Sequence, residues 1–256
     1  MEKLRVGDFD YERHGHGYAT QRRADPRIAS LVNVALGSAR TIVNVGAGAG
    51  SYEPSDRYVL AVEPSSAMRA QRPVHLAPAV DASAEELPLD DDAVDAAMAM
   101  VTVHQWSNAE RGLRELRRVS RGPVVVLTFD GDALDRFWLT DYLPEIIESD
   151  RNRFPPIDTI CTTLGGKCNV RSVPVPTDCV DGFTEAYFAR PESFLDPAVR
   201  RSQSVWGFID QTVQERAIAN LRDDLETGQW DERYGHWRTT PHFDGSLRLI
   251  VAQPDE

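Results

Sequence analysis

The chain has 256 residues, enough to bury one large core as a single domain. Its 28 basic against 40 acidic residues give a net charge of −12, which argues against a nucleic-acid backbone as the main partner. No run reaches the ~20 apolar residues of a membrane span. Met1 to Asp10 is charged, without the apolar core of a signal peptide, so a cytoplasmic protein with no membrane partner is expected.

Residues 1–24 are charged and irregular, with Tyr11, His14, His16 and Tyr18 interleaved. Asp25-Pro26 then supplies an N-cap and a first-turn proline. Ile28, Leu31, Val32, Ala35 and Leu36 follow at i, i+3, i+4 spacing, and Gly37 stops the helix. A strand is predicted over Thr41–Val45, ending in Gly46-Ala47-Gly48-Ala49-Gly50. Alternating glycines let backbone approach a ligand closely, because no Cβ intervenes. A second strand, Tyr58–Glu63, ends thirteen residues past Gly50 in a carboxylate able to accept two hydrogen bonds from a ribose diol. Together these describe a nucleoside pocket at the carboxyl edge of a parallel sheet.

The glycine spacing separates nucleosides. A dinucleotide fingerprint, Gly-x-Gly-x-x-Gly, opens a helix whose N-terminus holds pyrophosphate. Here Ser51 stands at the third glycine position, and only eight residues, including Pro54, link Gly50 to Val59. That link is too short for a crossover helix and predicts a turn with at most one helical turn. A cofactor without phosphate asks less of such a helix.

Asn44-Val45-Gly46-Ala47-Gly48-Ala49-Gly50, Glu63, the segment Ser83-Ala84-Glu85-Glu86-Leu87-Pro88-Leu89 and the acidic lead-in Asp90 to Asp95 resemble the class I S-adenosylmethionine-dependent methyltransferases. The likeness covers roughly Thr41 to Asp130 and is closest to the small-molecule branch that includes ubiquinone/menaquinone and trans-aconitate methyltransferases. It implies S-adenosylmethionine as cofactor and S-adenosylhomocysteine as product. It implies that Gly46, Ala47 and Gly48 cradle the cofactor, that Glu63 and Pro64 meet the ribose, and that Ser83, Ala84 and Glu85 lie near the adenine. Asn44 occupies the position of the family's first acidic residue, near the methionine ammonium. Met100 and Val101 close the cleft, and Tyr18 and Arg22 reach it from the N-terminal segment. The amino-directed signature Asp/Asn-Pro-Pro-Tyr is absent; the chain reads Thr102-Val103-His104-Gln105-Trp106 there.

Further strands are predicted at Val74–Ala77, Val94–Val101 and Val124–Phe129, with helices at Ser65–Gln71, Ala109–Ser120 and Ala133–Ser149, the last interrupted at Pro144. Asn169–Val175 and Ser246–Ala252 complete seven strands. The expected fold is therefore α/β: a Rossmann-like, mostly parallel seven-stranded sheet flanked by helices. About seventy residues, Pro176 to Gly245, precede the closing strand and carry many aromatics, with helices near Asp196–Ile209 and Val213–Thr227. Such an insert must bury its apolar side chains, most economically as a lid over the carboxyl edge of the sheet. One domain follows: residues 1–40 as a cap segment, 41–175 as nucleoside-binding core, 176–245 as substrate lid and 246–256 as closing strand.

His104, just past the fourth strand, is the candidate general base; it reads equally as an imidazole bonded to loop backbone. Gln105 and Trp106 are candidates for the floor of the acceptor pocket, Trp106 also for a core anchor. Arg22 fits a methionine carboxylate or a solvated surface position. Cys161, Cys168 and Cys179, an odd count, read as buried small apolar residues rather than a disulfide framework or a soft-ion trio. His14-x-His16 lacks further ligands at metal spacing, so no metal is expected. Asp90 to Asp92 read as a solvated turn. The function expected is methyl transfer to a small, fairly apolar metabolite; the alternative is a protein that binds S-adenosylmethionine or S-adenosylhomocysteine without methyl transfer. Nothing in the pattern fixes an oligomeric state.

Overall fold

The computed structural model describes residues 22–255, so Tyr18 and the His14-x-His16 pair lie outside the described residues. Helix α1 (Pro26–Ala35) starts beneath Asp25, whose carboxylate accepts from Arg27 N at 3.0 Å. Six strands, β1 (Thr41–Val45), β2 (Tyr58–Val62), β3 (Ala96–Met100), β4 (Val124–Phe129), β5 (Lys167–Ser172) and, last in the chain, β8 (Leu247–Gln253), form one sheet in the order β2-β1-β3-β4-β8-β5. Short strands β6 (Val175–Pro176) and β7 (His242–Phe243) pair antiparallel with each other and clasp the base of the insert. Pairs β1–β2, β1–β3 and β3–β4 are parallel; β8 alone in the sheet runs against its neighbours. Strand order reverses between β1 and β3, and the carboxyl ends of those two strands border the crevice where open α/β sheets bind ligands.

Alternation along the strands sends side chains to two cores. Ile42, Met98, Met100, Val125 and Leu127 join α1 on one face. Val43, Val45, Ala97, Ala99, Val124 and Val126 meet Leu113, Leu116 and Val119 on the other. Those three belong to α3 (Ala109–Val119), which follows the one-turn helix α2 (Ser66–Arg69) in the chain. The Gly50–Val59 link stays a series of turns.

The main sheet has six strands, not the seven predicted. Pro73 and Pro78 bracket the apolar run Val74–Ala77, and each lacks a donor for a ladder. The run forms turns with Val74 fully exposed, and a single bridge, Val62 to Val80, replaces the strand. The helix predicted over 133–149 is also divided. Two 3-10 turns cover Gly131–Arg136 and Trp138–Asp141, and α4 (Glu145–Arg153) begins only after Pro144, which suits a helix start because it has no N–H to donate. Near Asp196–Ile209 the helical stretch shrinks to α6 (Pro197–Arg201) and a 3-10 turn, Ser204–Phe208.

The cysteines require another correction: Cys161 and Cys168 form a disulfide. Cys161 lies in α5 (Ile157–Leu164), and the chain reverses through Gly165 and Gly166, both at positive φ, into β5. That reversal brings the two Cα atoms to 5.7 Å, within bridging range. Cys179 is free and buried.

The insert packs on itself and against Phe137 and Trp138. Helix α7 (Gln211–Thr227) is capped by Asp210 and ends at Gly228, φ 80, before α8 (Gln229–Tyr234). Trp230, Phe188 and Phe194 are fully buried. Trp138 meets Trp230 edge-on at 5.3 Å between centroids and donates from Nε1 to Phe188 O at 2.7 Å. No helix among the described residues is long and apolar enough to cross a membrane.

Candidate active site

Two cavities meet at the carboxyl edge of the sheet. The smaller, about 550 Å³, lies over the ends of β1 and β3. Gly46 and Gly48 turn there with φ of 69° and 51°. A Cβ on Gly46 stands 2.1 Å from Thr102 Oγ1, so only glycine lets the two strand ends close on each other. Glu63 accepts from Gly48 N through Oε2 and from Ser65 N through Oε1, each at 2.8 Å. Each oxygen keeps a second lone pair for a further donor. Burial pushes this carboxyl above its ordinary range, partly offset by the two N–H groups.

Asn44 is buried in the same cleft, and Nδ2 donates to Glu53 Oε1 at 3.0 Å. Arg72 clamps Glu53 from the other side, with bonds of 3.0 and 2.9 Å. The amide orientation is thereby fixed, and Asn44 Oδ1 is left without a protein partner.

The larger cavity, about 690 Å³, shares Arg22, Val101 and Gln105 with the first. Val101 forms the partition. Its φ is 54°, and its N–H donates to Leu127 O at 2.7 Å. A β-branched residue held there costs on the order of 1–3 kcal/mol, strain of a kind that concentrates at functional sites. Phe129, Phe137, Phe154 and Phe183 supply the aromatic wall. His104 stands edge-on to Phe154 at 4.7 Å; its Nε2 lies 3.4 Å from Gln105 Nε2, and its Nδ1 has no partner. Burial, then the positive charge of Arg153 and Arg22, drives the imidazole well below its ordinary pKa, so it is neutral at physiological pH.

A polar wall faces the same cavity. Both oxygens of buried Glu185 accept from Ser246 N, at 2.9 and 3.0 Å. Burial pushes this carboxyl up to about 7 against the lowering effect of that N–H. Gln203 Oε1 accepts from Thr184 Oγ1 at 2.9 Å and Trp206 Nε1 at 3.1 Å, whereas its Nε2 has no partner.

Of the residues anticipated from sequence, Arg22, Asn44, Gly46, Ala47, Gly48, Glu63, Met100 and Val101 line the smaller cleft and His104 the larger. Pro64, Ser83, Ala84 and Glu85 fall outside both linings. Glu85 accepts from Asn108 N at 3.0 Å at the start of α3, and Ala84 is packed into the core beneath. Arg22 pairs through Nε with Asp181 Oδ1 at 2.6 Å, and Tyr52 Oη donates to Asp181 Oδ2 at 2.7 Å. Trp106 lines neither cavity. Asp181, Glu185 and Gln203 carry no local sequence signal and come from distant segments, whereas Tyr52 and Thr102 adjoin the glycine turn and Val101.

A parallel α/β sheet with a glycine turn and a buried acid at its switch point defines a nucleoside-cofactor enzyme of the methyltransferase type, and comparison with known proteins agrees. The methyltransferase domain family matches residues 43–126. A candidate methyltransferase from an antibiotic biosynthesis pathway of Anabaena variabilis is 31% identical, with a TM-score of 0.83 over 91% of this chain and 98% of that one. A possible histamine N-methyltransferase of Thermotoga maritima (15% identity, 95% and 97% coverage, TM-score 0.56) shares the fold. So does a geranyl diphosphate C-methyltransferase of Streptomyces coelicolor solved with S-adenosyl-L-homocysteine (14%, 88% and 74%, TM-score 0.51). No curated protein sequence matches the chain. The chain belongs to the class I S-adenosylmethionine-dependent methyltransferases: it is an enzyme of methyl transfer, with S-adenosylmethionine as donor and S-adenosylhomocysteine as product.

Proposed function

We propose that the protein methylates a small, fairly apolar metabolite held in the 690 Å³ cavity, and that the 550 Å³ cleft takes the cofactor. The observation that carries this reading is the shared border of the two cavities at Val101 and Gln105. Reacting groups held across such a border are aligned and shielded from water. The net charge of −12 favours a small acceptor over nucleic acid, in keeping with the small-molecule branch.

The cleft fits the cofactor. Asn44 Oδ1, an unsatisfied buried acceptor, suits the methionine ammonium. Glu63 keeps lone pairs for the ribose hydroxyls, and the Gly46–Gly48 backbone leaves room for close approach. When bound, S-adenosylmethionine supplies a methyl carbon on a sulfonium, an electrophile whose leaving group is a neutral thioether.

His104 is the base in this reading. Gln105 Nε2, 3.4 Å away, can only donate, which makes Nε2 the basic ring nitrogen; the acceptor's O–H or N–H displaces that long contact to reach the lone pair, beside a residue common to both cavities. A weak neutral base suffices, because an O–H or N–H becomes strongly acidic as its heteroatom is alkylated; the proton then comes to rest on Nε2. The phenylalanine wall keeps water from competing. Residues 176–245 act as the lid. The test is transfer of labelled methyl from S-adenosylmethionine over a panel of phenols, amines and heteroaromatic acids, by wild type and H104A. Loss of about 10²-fold in turnover in H104A, with cofactor affinity kept, is expected. Unchanged turnover overturns the base assignment, and no transfer to any small acceptor overturns the substrate class.

A further inference from the structure

The polar groups of the larger cavity are unevenly placed. Arg22, Val101 and Gln105 belong to both cavities and mark the end where methyl transfer takes place. Gln203, Glu185 and Ser246 line only the larger one. The same cavity is lined by the aromatic rings of Phe154, Phe129 and Phe183, at 5.4 and 5.5 Å between successive centroids.

Gln203 is 4% exposed, and its amide cannot turn over without losing two bonds. Thr184 Oγ1 and Trp206 Nε1 both point hydrogens at Oε1, which fixes Nε2 as the unpaired end of an amide that lines the cavity. A buried amide nitrogen with two hydrogens and no acceptor costs free energy unless a ligand supplies one. Buried Glu185 is met by the Ser246 N–H and lies beside the Ser246 hydroxyl, and its two oxygens together keep a lone pair for a further donor. Gly245 makes the space for that carboxylate, since a Cβ there stands 2.5 Å from Oε2. Donor and acceptor thus line the same wall.

We propose that Gln203 and Glu185, which line the larger cavity and not the smaller cleft, form an anchoring subsite for a head group that pairs a carbonyl with an adjacent N–H or O–H. Carboxamides, lactams and carboxylic acids have this chemistry. The carbonyl accepts from Gln203 Nε2, and the N–H or O–H donates to Glu185. The acceptor is then an elongated molecule: a nucleophile at the Val101–Gln105 end, an apolar planar middle against the phenylalanines, and this head at Gln203 and Glu185. The assignment rests on the larger cavity being the acceptor site.

Two isosteric phenols test it, one with a para-isopentyl chain and one with a para-propanamide chain, titrated calorimetrically into the full chain saturated with S-adenosylhomocysteine. The amide is expected to bind about tenfold tighter or more. Q203L should abolish that preference while keeping the alkyl phenol's affinity, and S-adenosylhomocysteine binding by the variant reports that it folds. Q203M serves if Q203L does not fold. Equal binding of the two phenols by wild type, or a preference that survives loss of the Gln203 amide, overturns the subsite and leaves the acceptor cavity standing. Failure of both phenols to bind the cofactor-loaded protein overturns the cavity assignment and the subsite with it.

Discussion

Asn44 gives a hydrogen from Nδ2 to Glu53 Oε1 at 3.0 Å, and that one bond decides which end of the amide faces the cofactor cleft. Where the sequence resemblance implies an acid, this chain presents a neutral oxygen whose orientation is enforced from behind. N44L removes the acceptor and is expected to weaken S-adenosylmethionine binding by about tenfold or more, the scale of a hydrogen bond to a charged group. Calorimetry checks this; unchanged affinity assigns the ammonium elsewhere.

Glu53 and Arg72 are nearly fully buried as a pair, with side-chain exposures of 2% and 4%. Removing one partner strands the other charge. E53L should therefore cost about 3–5 kcal/mol in urea unfolding, whereas the double variant E53L/R72L should recover much of that loss. Additive losses contradict a paired site.

Glu185 makes stability depend on pH in a direction opposite to most carboxylates. Its folded pKa, about 7, lies above the ordinary value of 4.5. Below about pH 4.5 both folded and unfolded chains hold the proton. Between 4.5 and 7 only the folded chain does, so the group's contribution to stability falls as pH rises, by roughly 3 kcal/mol in all. Arg248 and Asp150 bear on it with opposite signs. E185Q should be more stable than wild type at pH 8 and lose that advantage by pH 5, as read from urea midpoints at both values.

Val101 holds its backbone at φ 54° where the two cavities meet. V101G relieves the strain but frees the unfolded chain, so stability should change by less than about 1 kcal/mol. Turnover should fall tenfold or more as the partition slackens. Intact turnover means the strain serves folding alone.

The Cys161–Cys168 bridge lines neither cavity. Closing so short a loop contributes about 2 kcal/mol in the chain-entropy account. C161S/C168S should lower the unfolding midpoint accordingly and leave methyl transfer unchanged.

What was legible in the sequence was local. The glycine turn, Glu63 and the alternating apolar strands are short patterns whose physics is set by neighbours in the chain. Val74–Ala77 misled because an apolar run between two prolines looks like a strand but cannot be laddered. The insert's aromatics were expected to be buried as a lid over the sheet edge; many pack on one another and on Phe137 and Trp138, and Phe183 lines the cavity. The acceptor wall was not readable, because His104, Phe154, Glu185, Gln203 and Ser246 come from five distant segments. The disulfide was missed for the same kind of reason: it depends on a reversal at Gly165-Gly166 seen only in three dimensions.

The central claim is that the two cavities are one reaction site, cofactor on one side of Val101 and acceptor on the other. A crystal structure of the full chain with S-adenosylhomocysteine tests it most directly. Ribose hydroxyls on Glu63, the amino group on Asn44 Oδ1, and the sulfur at the opening bounded by Val101 and Gln105 are the expected result. A sulfur turned away from that opening, or the cofactor lying in the phenylalanine-lined cavity, contradicts it.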